Sequence, residues 1–278
     1  MASGSSPSVS EPSSRQADLL LDLAEELPEE CPQILENKKF ILTKGGGSNK
    51  NYSKLCMMEI IERHGGEVFN SAENIGDTAN TYLIADRPYC TIAYIGALSL
   101  NIPPVSYRWI VDCVRGNVLE NFENYRIPAG YINGEVIPFK VTDNVLTGLT
   151  IGVYNHASHT QFSTFFKFVV ENLGGTYVPL PLHFTDINEA FRKPEEKCDY
   201  VLIRKRSHQK DIVAAAKAMD IKPVYPEWLI YALLTREVDL SEQYHATVEK
   251  EIETADSEEE VEDDESGSSP DSGLDPAA

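Results

Sequence analysis

Short apolar runs alternate with stretches of helical period twice along this 278-residue chain. Phe40-Ile41-Leu42 is too short for a helix and has polar flanks, which predicts a buried strand. Leu55, Cys56, Met58 and Ile61 then recur at helical spacing, and Gly65-Gly66 ends that stretch as a C-cap should. Glu67-Val68-Phe69 and the run Thr81 to Ala85 predict strands. Ala93 to Leu100 predicts a second helix, Pro104-Val105 a strand, and Trp109, Ile110 and Cys113 lie on a closing helix. The same series returns downstream. Leu149 to Tyr154 predicts a strand, Phe162 to Leu173 a helix ending in Gly174-Gly175, and Thr176 to Val178 and Asp199 to Ile203 two further strands. Asp211 to Met219 then predicts a helix, Pro223 to Tyr225 a strand, and Trp228 to Leu234 the last helix.

The two series share a signature at their strand–turn–helix junction. Pro104-Val105-Ser106-Tyr107-Arg108-Trp109 and Pro223-Val224-Tyr225-Pro226-Glu227-Trp228 both read Pro-Val-x-x-x-Trp, 119 residues apart, and hold the only two tryptophans of the chain. A repeat of this size implies two copies of one small domain. The order β-α-β-β-α-β-α with short apolar strands predicts an α/β fold, each copy a small, mainly parallel sheet flanked by helices. The resulting plan is 1–36 disordered with a short helix, 37–122 repeat 1, 123–145 connector, 146–245 repeat 2 and 246–278 an acidic disordered tail. The connector, rich in Pro and Gly, is too apolar for a free tether and is expected to pack on both repeats. Leu19, Leu20, Leu23 and Leu27 suit one short amphipathic helix, packed on the first domain or nascent in a tail, with a partner-docking motif as the alternative.

Charge narrows the function. The net charge is −20, and from Glu249 onward there are 13 acidic residues against one lysine. That leaves 31 acidic and 23 basic residues in the first 248, a mildly acidic body unsuited to wrapping duplex DNA through its phosphates. A local pocket for a single phosphate stays open. The five cysteines show no C-x-x-C and no ligand spacing, so they read as thiols in a reducing compartment with no metal and no cofactor implied. No apolar run approaches the ~20 residues that span a bilayer.

The doubled glycine pair and closing-helix tryptophan resemble tandem BRCT domains. Leu83-Ile84-Ala85-Asp86, Asn101 to Trp109 and the run Asn121 to Tyr131 are similar to the C-terminal pairs of DNA-damage checkpoint mediators in that family, over roughly residues 37–245. The resemblance implies a nuclear, non-enzymatic scaffold that binds a phosphorylated protein tail, such as that of a histone variant, through repeat 1. It also implies an alternative, a phosphate-independent adaptor for a folded partner such as a p53-like transcription regulator, engaged through repeat 1 and the connector. By the family pattern Thr43 supplies a hydroxyl, Lys44 or Gly45 a backbone N–H, and Lys50 a cation to the phosphate. One departure stands out. The lysine that the family places at the start of the second helix falls on Ala93, and the preceding residues are Cys90-Thr91-Ile92. Losing a charge-assisted bond to phosphate costs about 1.5–3 kcal/mol.

Other features have plainer readings. Trp109 and Trp228 are expected to be core anchors. The loop from Lys44 to Lys50 lacks the G-x-x-x-x-G-K-[ST] order of a nucleotide-binding loop. Arg204-Lys205-Arg206-x-His208-x-Lys210 reads as a solvated loop, with a nuclear-import patch or second anion site as the alternatives. His156 and His159 have no acid or nucleophile beside them, so catalysis has no constellation to support it.

Overall fold

The computed structural model describes residues 24, 28, 30–43, 52–141, 144–154, 160–180, 197–204, 210–238 and 244–246. Lys39–Leu42 forms β1, with Phe40, Ile41 and Leu42 fully buried. Lys54–Arg63 forms α1, whose N-cap Ser53 accepts the Cys56 N–H. Gly65 follows it at φ +85°, and a Cβ on Gly66 would stand 2.7 Å from the Phe40 ring. The first glycine therefore supplies the left-handed turn and the second the close approach of helix to strand. Glu67–Phe69 is β2, Thr81–Ala85 β3, Ile92–Ser99 α2, Pro104–Ser106 β4 and Arg108–Gly116 α3. The four strands are all parallel in the order β2-β1-β3-β4.

The chain then repeats the plan. Thr150–Val153 is β7, Thr160–Asn172 α4, Thr176–Pro179 β8, Tyr200–Leu202 β9, Lys210–Ala218 α5, Lys222–Val224 β10 and Pro226–Thr235 α6. Their parallel sheet has the matching order β10-β9-β7-β8. The tryptophans sit at equivalent places against equivalent tyrosines. Trp109 packs on Tyr82 with ring centroids 4.8 Å apart, and Trp228 stacks on Tyr200 at 4.4 Å. Each repeat also closes its sheet edge by the same device. Val105 bridges Arg126 and Val224 bridges His245, both antiparallel, so the chain leaving each closing helix covers a strand edge that would otherwise offer unpaired backbone groups.

The connector is more ordered than its Pro/Gly content suggests. Gly130–Ile132 (β5) and Glu135–Ile137 (β6) form an antiparallel hairpin. Its turn residues are Asn133 at φ 52° and Gly134 at φ 83°, the left-handed pair of a type I′ turn. The segment from Leu19 to Leu27 lies outside the described residues except for Ala24, which is helical and packs against the first repeat's core.

Sheet 1 is covered by α1 and α3 on one face, where Phe40, Leu42, Tyr82, Ile84 and Trp109 form one cluster. Its other face, with Ile41, Leu83 and Ala85, carries α2 and belongs to a cluster continuous with Val169 and Val170 of α4 and Trp228 and Leu229 of α6. The two repeats thus meet through α2 of the first against α4 and α6 of the second. Gly96 on α2 allows the approach: a Cβ there would lie 3.1 Å from the Ala72 Cβ and 3.7 Å from the rings of Phe165 and Phe168. Polar ties cross the same seam. Asn172 Nδ2 donates to Ser99 Oγ at 3.1 Å, and the Arg236 guanidinium donates to the Leu98 carbonyl at 3.1 Å, where a cation suits the α2 C-terminus.

On the far face of sheet 2 lies a third cluster that includes Cys198, 3 % exposed. Burial pushes its thiol up to about 11. A thiol held neutral by the fold contributes stability that is lost as pH rises above the ordinary thiol value, because the unfolded chain then releases the proton first. Urea melts should therefore show stability falling by roughly 2 kcal/mol between pH 9 and 11, with a shallower fall in Cys198→Ala. An unchanged slope in the variant would assign the alkaline loss elsewhere.

Candidate functional site

In a parallel sheet of order 2-1-3-4 the chain reverses direction between β1 and β3, and the loops leaving those strands open a crevice at their carboxyl ends. Thr43 is the first residue past β1 and its N–H donates to the Ile84 carbonyl at 3.2 Å, so the ladder extends one residue beyond the strand. Side chains alternate along it. Phe40 and Leu42 join the α1/α3 cluster and Ile41 the α2 cluster, which puts Thr43 on the α2 face. Its side chain is 0 % exposed, and Oγ1 has no hydrogen-bond partner among the described residues. A buried hydroxyl left unpaired costs about 1–3 kcal/mol, so this oxygen calls for an explanation.

The same end of the same face carries the N-terminus of α2. Thr91 is its N-cap, with Oγ1 accepting the Tyr94 N–H at 3.3 Å and the Thr91 carbonyl accepting the Ile95 N–H at 2.9 Å. The N–H groups of Ile92 and Ala93 belong to the first turn, where a helix supplies no internal acceptor and its dipole is positive. The buried hydroxyl and this helix N-terminus thus share one end of one sheet face. Ala93 itself is half-buried against the seam cluster and brings no charge.

The segment that follows β3 has a different character. Asp86, following β3, accepts a hydrogen bond from the Tyr89 hydroxyl at 3.1 Å, and that hydroxyl accepts one from Arg87 Nε at 3.0 Å. The Arg87 guanidinium lies over the Tyr89 ring. Tyr52, buried on this side, has its hydroxyl pushed well up by burial first and by the Asp86 carboxylate second. Tyr52 belongs to the α1/α3 cluster, whereas Tyr89 packs against the seam cluster.

Of the residues the sequence nominates, Thr43 stands at the crevice. Lys44, Gly45 and Lys50 lie outside the described residues, as do His156, His159, Lys205, Arg206 and His208. Arg204 is described at the matching point of repeat 2, with its guanidinium 5.4 Å from the Phe162 ring centroid. Sequence reasoning missed Thr91, although a threonine just before an apolar helical run is an N-cap signal. It also missed the turn Ala72–Asn74, whose Ser71 cap was legible in the same way.

Among the described residues there is no cluster of three or more potential metal ligands, and no helix long and apolar enough to cross a membrane. All five cysteines are free. With this geometry in view, comparison with known proteins is informative. Residues 33–126 match the family model of the BRCT domain. The match covers β1 to β4, α1 to α3 and the closing strand segment at Arg126. Over both repeats the chain resembles solved tandem BRCT structures. Rtt107p of yeast, in complex with a phosphorylated histone, aligns over 83 % of this chain and 98 % of its own at 16 % identity and a TM-score of 0.51. The BRCT5–BRCT6 domains of S. pombe Brc1 align over 73 % of this chain and 95 % of theirs at 14 % identity and a TM-score of 0.46. At such identities the Rtt107p likeness is one of fold: two BRCT-type sheets flanked by helices, in tandem.

Proposed function

We propose that this chain is a nuclear, non-enzymatic interaction scaffold of the DNA-damage response that binds a phosphorylated protein tail at the crevice of its first BRCT repeat. The observation that carries this reading is the fully buried, unpartnered Thr43 hydroxyl beside the N-terminus of α2. A phosphate of charge near −2 would take its hydrogen bond from Thr43 and further donation from the first-turn N–H groups of α2. Lys44 or Gly45 would add a backbone N–H and Lys50 a cation, by the family pattern. The tandem BRCT relative Rtt107p, captured with a phosphorylated histone, supports the same class of ligand.

The test is a titration of the full chain with a phosphoserine peptide and its unphosphorylated twin. Wild type should prefer the phosphopeptide, and Thr43→Val should weaken that binding about ten- to a hundredfold while leaving the twin unaffected, as removal of one charge-assisted bond requires. Equal affinity of wild type for the two peptides would sink the reading. Lys50→Ala should weaken only the phosphopeptide.

A second reading has its own support. Ala93 leaves the helix start without a cation, and the connector hairpin exposes the cross-strand pair Tyr131 (56 %) and Val136 (60 %). An adaptor binding a folded, unphosphorylated partner, of the p53-like kind, through repeat 1 and the connector would use that surface. Loss of partner capture in Tyr131→Ser with phosphopeptide affinity unchanged would favour it.

A further inference from the structure

The chain that leaves α3 folds back across that helix before it enters the connector. Trp109 Nε1 donates to the Glu120 carbonyl at 2.9 Å, and the Glu120 N–H lies 3.2 Å from Cys113 Sγ. Phe122–Tyr125 then forms a tight turn, whose Phe122 ring meets Tyr82 at 4.9 Å and Trp109 at 6.1 Å. The Tyr125 hydroxyl donates to Asp112 Oδ2 of α3 at 2.8 Å. Immediately after it Arg126 bridges Val105, and the Ile127 N–H donates to the Pro104 carbonyl at 3.1 Å, which closes the β4 edge. This clasp has a counterpart 119 residues on, at the spacing of the two tryptophans. Glu120-x-x-Glu123-x-Tyr125 returns as Asp239-x-x-Glu242-x-Tyr244, and Ala246 donates to the Pro223 carbonyl as Ile127 does to that of Pro104. The place of Asp112 falls on Tyr231, whose ring meets that of Tyr244 with centroids 5.3 Å apart. In repeat 1 the same place sets a phenol against a carboxylate.

We propose that Tyr125 is a phosphorylation site, through which a protein-tyrosine kinase opens the clasp of repeat 1. Its setting distinguishes it among the 13 tyrosines of the chain. Tyr52, Tyr82, Tyr94 and Tyr200 are buried, and Tyr131, the most exposed at 56 %, has no acid in the five residues before it. Tyr125 carries its hydroxyl at the surface, with carboxylates two and five residues before it, a charge pattern that a basic substrate groove selects. In the transfer its phenolic oxygen attacks the γ-phosphorus of ATP, loses its proton and displaces ADP. The ester carries a charge near −2. It has no proton to donate to Asp112 and stands beside that carboxylate, so attraction becomes like-charge repulsion. The existing coupling is strong: the Asp112 hydrogen bond first, then burial, push the Tyr125 phenol up to about 12. Cations close by are differently engaged. Arg126 pairs with Glu123 at 2.7 Å and lies over the Phe122 and Phe139 rings. Arg108 and Arg115 of α3 form no ion pair with Asp112 among the described residues. Opening the clasp releases the connector and uncovers the β4 edge, whose backbone groups are then free to pair with another strand.

The experiment incubates the full chain with ATP and a recombinant protein-tyrosine kinase that prefers acidic substrates, and locates phosphotyrosine by tryptic mass spectrometry. Tyr125 should be the leading site, and Tyr125→Phe, which keeps the ring, should remove most of the incorporated phosphate. Incorporation that spares Tyr125, or that Tyr125→Phe leaves unchanged, would overturn the site. The singly phosphorylated chain, separated by anion exchange, is then compared with the unmodified chain by amide hydrogen exchange. Exchange at Ile127 should rise about ten- to a hundredfold, as loss of one hydrogen bond to a charged group gives when exchange follows local opening. The equivalent amide of repeat 2, that of Ala246, should keep its rate. In phosphorylated Asp112→Asn, whose amide can donate to the phosphate, Ile127 should exchange near the unmodified rate. A rise that survives Asp112→Asn overturns the charge mechanism. Slower exchange at Ile127 overturns the opening, because Arg108 or Arg115 then captures the phosphate and tightens the clasp. The wild-type comparison needs no substitution, and both substituted side chains meet at the surface.

Discussion

Ala93→Lys raises the affinity of the full chain for a phosphoserine peptide ten- to a hundredfold and leaves the unphosphorylated twin unchanged. The wild-type crevice offers a buried hydroxyl and a helix N-terminus to an anion but no lysine at the start of α2. A cation placed there adds a charge-assisted bond of about 1.5–3 kcal/mol, and every 1.4 kcal/mol is a factor of ten. The site accepts the change at low cost. Ala93 is the second residue of α2 and only half-buried, so a lysine stem can lie over the seam cluster while its head reaches the crevice. The gain should shrink with added salt, as that of a partly exposed charge must. If Ala93→Lys brings no gain although wild type prefers the phosphopeptide, the phosphate sits elsewhere and Thr43 is a buried hydroxyl without that role. If wild type shows no preference and Ala93→Lys creates one, the crevice has the architecture of a phosphate site and lacks only its cation.

Trp228→Ala lowers global stability by about 3–5 kcal/mol, the usual cost of emptying a fully buried indole site. The ring stacks on Tyr200 and belongs to the cluster that runs without a break from sheet 2 through α4 and α6 to α2 of repeat 1. Its loss should therefore weaken the first repeat as well. The variant makes this directly measurable, because Trp109, buried between Tyr82 and Phe122, becomes the sole tryptophan. Its fluorescence reports repeat 1 during urea unfolding. The Trp109 midpoint should fall together with the far-UV circular dichroism of the whole chain. A Trp109 midpoint equal to that of wild type would show that the repeats unfold independently and that the seam does not couple them.

What could be read from the sequence follows the range of the interactions involved. Strand Thr81–Ala85 agrees with its sequence reading to the residue, and the helices start within two residues of theirs, Arg108 one and Pro226 two residues ahead of the tryptophan of each closing helix. These elements are set by apolar period, by glycine at the left-handed C-cap and by β-branched runs, all local in the chain. The connector hairpin was equally local, and Ile132-Asn133-Gly134-Glu135 carried its turn signal, but the surrounding prolines and the shortness of both strands hid it. Thr43 was legible as a candidate site residue only through family resemblance, since a lone threonine after an apolar run has no signature of its own. By itself, then, the sequence determined two copies of a parallel α/β repeat, their element order and their anchoring tryptophans. The tertiary structure alone decided that Thr43 is buried with its hydroxyl unpaired among the described residues, that Tyr52 is buried within reach of the Asp86 charge, and that Glu73 and Gln161 share a cavity. Those facts depend on which strand edges and helix faces meet across 30 to 90 residues of chain, and hydrophobic periodicity carries no record of such partners.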